Sequence, residues 1–125
     1  MDSEKIKNPR GNQNSTLFCT IAYQAESGRH RRPIANGLLL VVLKTPTDGV
    51  RFFLDPLWRE TVNSEDASYL QDVFEDLPRR ARNPGDDVFA QLCELSAGPL
   101  ATVEVGDASL KDSFIKELTG KFIQI

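Results

Sequence analysis

Gly37-Leu38-Leu39-Leu40-Val41-Val42-Leu43-Lys44-Thr45 is the stretch that decides the fold. Its apolar residues follow one another without interruption, so it shows neither the alternation of a half-buried strand nor the spacing of an amphipathic helix. The run at 38–43 is far shorter than the roughly 20 residues that a membrane helix needs. A strand buried on both faces satisfies such a pattern, and it belongs in the middle of a sheet.

The neighbours of this segment support that reading. Thr16 to Tyr23 alternates, with Leu17, Cys19, Ile21 and Tyr23 on one face and Phe18 and Ala22 on the other. Thr45-Pro46-Thr47-Asp48-Gly49 supplies a turn, and Asp-Gly suits the positive φ of a tight hairpin. Val50 to Leu54 follows as a third strand and Asp55-Pro56 ends it. The three segments predict an antiparallel meander.

The remainder has helical spacing. Asn63 or Ser64 can cap a helix, with Glu65 and Asp66 in its first turn and Leu70, Val73, Phe74 and Leu77 as its apolar stripe. Pro78 is expected to stop or kink it. A second helix begins at Asp86 or Asp87, carries Val88, Phe89, Leu92 and Cys93 inward, and is closed by Gly98-Pro99. Leu100 to Val105 reads as a strand with Ala101, Val103 and Val105 inward. Ser109 to Leu118 reads as a third helix with Leu110, Phe114 and Leu118 on one side and Gly120 as its stop. Phe122 to Ile125 is a last strand or a docked tail. The order β-β-β-α-α-β-α predicts an α+β fold, one sheet covered by helices. Residues 1–14 read as a flexible arm and 15–125 as one domain.

The 125 residues are 40% apolar and 26% charged, an ordinary globular composition. The polar N-terminus lacks the apolar core of a signal peptide, so the expected location is cytoplasmic, with no membrane association. Cys19 and Cys93 stand far apart and form no Cys-x-x-Cys, which points to two reduced, buried thiols. One histidine and no cysteine cluster leave no metal motif, and no phosphate-binding glycine loop occurs, so no cofactor is expected.

Charge is uneven: residues 1–60 sum to +3 and residues 61–125 to −6. A net charge of −3 is wrong for a generic nucleic-acid binder, so any such role needs a local basic patch. Arg29, His30, Arg31 and Arg32 form one, inside a polar link that runs from Gln24 to Asn36. Arginine forks there suit phosphate or carboxylate, and His30 would make the charge pH-dependent. A solvated connecting loop explains the same residues, and the stacking aromatics of a nucleic-acid reader are missing. Arg79 and Arg80, with Arg82 beyond them, form a second cluster that would enlarge the first if the two met in space. Glu75 and Asp76 lie at salt-bridge spacing from Arg79 and Arg80.

Trp58 lies outside any predicted element and serves either as a cap on the core or as a partner anchor. Asp55, Glu60 and His30 are the carboxylates and histidine worth weighing for acid–base work, and no nucleophile elbow accompanies them. The expected function is a small non-catalytic binding or assembly domain with a protein partner or a second copy of itself. The alternative is an anion-binding module, for phosphate or nucleic acid, built on Arg29 to Arg32.

Overall fold

The computed structural model describes residues 15–27, 30–47, 49–96 and 98–125, with backbone only for 25–36. The expected flexible arm at 1–14 lies outside the described residues. Strands β1 (Leu17–Ser27), β2 (His30–Thr45) and β3 (Gly49–Leu54) come first. A one-turn helix α1 (Trp58–Thr61) leads to α2 (Ser64–Ala81) and α3 (Val88–Cys93). Strand β4 (Leu100–Asp107), a 3₁₀ turn (Ala108–Lys111), α4 (Asp112–Lys121) and β5 (Ile123–Gln124) complete the chain. The fold is α+β, around a five-stranded sheet of order β4-β1-β2-β3-β5 in which every neighbouring pair is antiparallel.

The apolar run is central, as its lack of alternation demands. Leu39, Leu40, Val41 and Val42 are all fully buried. Leu40 and Val42 join Cys19, Ile21, Tyr23, Phe52 and Leu54 beneath Leu70, Phe74 and Leu77 of α2 and Val88, Phe89 and Leu92 of α3. Val41 faces the opposite way and meets Phe18 and Ile115, with Leu43, Phe53 and Leu118 around them. Helices therefore cover both faces, α2 and α3 on one and α4 on the other. Each large apolar side chain so buried contributes roughly 1.5–3 kcal/mol.

Local signals explain most boundaries. Gly49 takes φ +82° at the hairpin between β2 and β3. Asn63 caps α2 by accepting the Asp66 N–H at 2.8 Å, and Asp87 caps α3 by accepting the Ala90 N–H at 3.1 Å.

Other expectations need correction. The polar link from Gln24 to Asn36 is not a loop at its described residues. β1 and β2 continue past a register irregularity as a paired ribbon, Gln24 opposite Pro33 and Ser27 opposite His30. Backbone pairing in a ribbon needs no apolar alternation, so composition concealed it. Trp58 opens a helical turn rather than lying outside all elements. Pro78 neither stops nor ends α2, which runs to Ala81. It falls in the last turn, where the helix forfeits the single bond that an N–H at 78 would make, and the Arg82 N–H closes the end on the Arg79 carbonyl at 3.2 Å. Helix α3 ends at Cys93, before Gly98-Pro99, and α4 continues through Gly120. Leu110 and Phe114 are exposed, and Ile115 is the buried anchor of α4. Val103 and Val105 are exposed rather than inward. Among the described residues, no helix is long and apolar enough to cross a membrane.

Candidate functional site

Strand β4 sits at the edge of the sheet, and the parity of its backbone decides what it offers. The Ala108 N–H reaches the Thr16 carbonyl at 2.8 Å, extending the ladder that pairs Phe18 with Gly106 and Thr20 with Glu104. Along an antiparallel ladder alternate residues turn both N–H and C=O to the neighbour. Glu104 and Gly106 therefore bond to β1, and the Val105 groups point away from it. A bulge separates this half of the strand from the rest, because Thr20 opposes Glu104 while Ile21 opposes Thr102, leaving Val103 as the extra residue. Beyond the bulge the outer side is covered: the Thr102 N–H donates to the Leu95 carbonyl at 2.8 Å, and its hydroxyl donates to the Leu92 carbonyl.

Among the described residues no strand pairs with the outer side of β4. Val103 is 61% exposed and Val105 49%, with Leu17 exposed beside them and Leu110 81% exposed on the following turn. Glu104 is held on the α4 side by Lys111, whose Nζ lies 3.2 Å from its carboxylate. Gly106 lies over Phe18, and a Cβ there would come within 3.2 Å of that ring. The opposite edge of the sheet, β5, is only two residues long and offers no comparable ladder.

Trp58 belongs to a second surface. Only 6% exposed, it packs edge-to-face on Phe74 with ring centroids 5.0 Å apart. Asp55 positions it: its carboxylate accepts the Leu57 N–H at 2.9 Å and its carbonyl accepts the Trp58 N–H at 3.1 Å. The Arg59 guanidinium lies 4.6 Å from the indole centroid. Leu54, Trp58, Phe74, Pro78 and Ile125 floor a cleft of about 350 Å³, rimmed by Arg59, Gln71 and Glu75. Gln71 donates to the Glu75 carboxylate at 3.0 Å. Trp58 is thus a core residue with one edge at a cleft.

The arginine clusters divide. Arg29 lies outside the described residues. His30, Arg31 and Arg32 are the first residues of β2, paired through the backbone with Ser27, Glu26 and Ala25, and their side chains lie outside the description. Arg79 bonds to Asp76, three residues before it, rather than to Glu75. Arg80 bonds to Asp86 at 3.1 Å and to Gln91, and so ties the connection at 83–86 to α3 rather than to Asp76. That contact is the main reason the Asp86 carboxyl is held below its ordinary value. Whether the two clusters share a surface falls outside the described residues.

The two cysteines are neighbours, which their spacing concealed. Cys19 of β1 and Cys93 of α3 are both free thiols, and each perturbs the ionisation of the other. Burial pushes both thiols above their ordinary value, Cys19 far more strongly, so neither is an activated nucleophile.

The β4 edge was missed because two valines flanked by Thr102 and Glu104 look the same on either side of a sheet. The signal that marks them, the parity of the ladder, exists only once Thr16 and Ala108 are paired. No protein-family model matches the chain, and comparison with curated proteins and with solved structures finds none similar to it.

Proposed function

We propose that this chain is a small, non-catalytic binding and assembly domain that works by adding a strand to its sheet at β4. The observation that carries the reading is the outward-facing Val105 backbone, flanked by exposed Val103 and Leu17. Strand addition draws affinity from main-chain hydrogen bonds and specificity from alternate side chains. Both ingredients are present in one short segment. The free thiols Cys19 and Cys93 suit a reducing, cytoplasmic compartment.

The test is a titration of the protein with a soluble extended peptide of alternating valine and lysine, followed by amide chemical shifts. Shifts centred on Val105 and Val103 support the reading. Shifts confined to the Trp58 cleft, or none, contradict it.

A second reading rests on the ribbon. A two-stranded antiparallel ribbon is one of the elements that fits a DNA major groove, and here it carries His30, Arg31 and Arg32 beyond the paired sheet. It predicts retention on heparin that weakens steeply with salt and disappears when Arg31 and Arg32 are both replaced by alanine. Retention unchanged by those substitutions excludes it.

A further inference from the structure

We propose that the cleft beside Trp58 binds a small zwitterion with a large apolar side chain, an α-amino acid of the aromatic or branched aliphatic class. The cleft lies where β3 meets α1 and α2, away from the β4 edge, and the proposal does not depend on strand addition there. At about 350 Å³ it falls near the lower end of small-ligand sites.

Its floor and its rim ask for different chemistry. Leu54, Phe74, Pro78, Ile125 and the edge of Trp58 present apolar surface. Arg59 and Glu75 stand on the rim with opposite charges, yet they do not pair with each other. Among the described residues neither enters any ion pair. Gln71 donates to one Glu75 oxygen at 3.0 Å, and the other oxygen has no partner among the described residues. The Arg59 guanidinium is held over the indole, 4.6 Å from its centroid. That contact engages no acceptor, so the N–H donors of the guanidinium stay available to an anion. An arginine already held in place loses less freedom on binding than a solvated one.

The two charges select the ligand. An apolar carboxylate alone would suit Arg59 and be repelled by Glu75, and an apolar amine alone would meet the reverse. An uncharged ligand would strip water from both ions and replace it with nothing. An α-amino acid carries both groups on one carbon. Its carboxylate takes the Arg59 fork, its ammonium takes Glu75, and its side chain covers the floor. An apolar concavity with a small number of orienting polar groups is the usual form of a small-molecule site.

Titration with L-phenylalanine, followed by calorimetry and by Trp58 emission, tests the proposal. Saturable binding that shifts the emission is expected. N-acetyl-L-phenylalanine lacks the ammonium and 2-phenylethylamine lacks the carboxylate, and each should bind at least about tenfold more weakly. Glu75 is exposed, so Glu75→Gln should keep the fold. It should weaken L-phenylalanine at least about tenfold and leave N-acetyl-L-phenylalanine no weaker. Arg59→Ala should weaken L-phenylalanine by a similar factor and leave 2-phenylethylamine no weaker. No binding of L-phenylalanine up to its solubility overturns the proposal. Equal binding of either truncated compound overturns the zwitterion. Binding that leaves the emission unmoved, or that Glu75→Gln does not weaken, overturns the cleft as its site.

Discussion

Tyr23 donates its phenolic hydrogen to Asp66 across 2.5 Å, tying the sheet end of β1 to the first turn of α2. The same oxygen accepts the Asn63 N–H at 3.3 Å. One buried hydroxyl thus holds the helix that covers the core, and the cap that starts that helix, in register with the strand. Tyr23→Phe keeps the ring and deletes the hydroxyl. It should lower stability by about 1–3 kcal/mol, since it deletes a hydrogen bond to a carboxylate and another to a backbone N–H. The check is a denaturant midpoint that falls while the slope stays constant.

The acid limb of stability should depend on Arg80. Asp86 is depressed below its ordinary 3.8 chiefly by the Arg80 hydrogen bond, with burial opposing and the Arg80 charge assisting. A depressed carboxyl stabilises the fold above 3.8, and the contribution is lost as pH falls through the folded value. Arg80→Ala should return Asp86 towards 3.8 and shallow the acid limb. Asp107, lowered mainly by Ser109, should keep its depressed value. Carboxyl chemical-shift titration of both residues reads the two effects separately.

At alkaline pH the thiols should act in the opposite sense. Cys19 is raised mainly by burial and then by Cys93, whereas the unfolded thiol ionises near 9.0. The unfolded chain therefore releases a proton that the folded chain retains, and stability should fall as pH rises above 9.0. Labelling with an alkylating reagent at neutral pH should reach half-buried Cys93 slowly and Cys19 only on unfolding. Rapid labelling of Cys19 in the folded protein would contradict its placement.

Much of this architecture could be read from residues alone, and the misses share a cause. The unbroken run at 38–43 announced the central strand because burial on both faces removes alternation. Asn63 and Asp87 announced their helices because a cap is a local interaction. The ribbon beyond Gln24 was concealed because ladder hydrogen bonds leave no mark in composition. The period of β4 predicts Val103 and Val105 inward because it sorts residues onto two faces but does not show that the strand lies at the sheet's edge, where side chains stay exposed. The Cys19–Cys93 contact and the Arg80–Asp86 bond join distant or re-routed segments, and spacing on a single helix cannot forecast either.

Trp58 is the only tryptophan, so its emission reports on the cleft alone. Trp58→Ala should cost about 3–5 kcal/mol, the usual penalty for emptying a large aromatic site. Arg59→Ala should leave the fold intact and change the emission, because the guanidinium stacked on the indole is lost. An unfolded Arg59→Ala protein would show that Arg59 supports the core rather than rimming the cleft.

Residue-resolved amide exchange on β4 tests the central claim most directly. In dilute protein the Glu104 and Gly106 amides should exchange slowly, because they bond to β1, and the Val105 amide should exchange rapidly. When the valine–lysine peptide is added, Val105 should slow while its two neighbours stay unchanged. A Val105 amide as slow as its neighbours in dilute, 14.0 kDa protein would show that the β4 edge is already closed and would contradict the account.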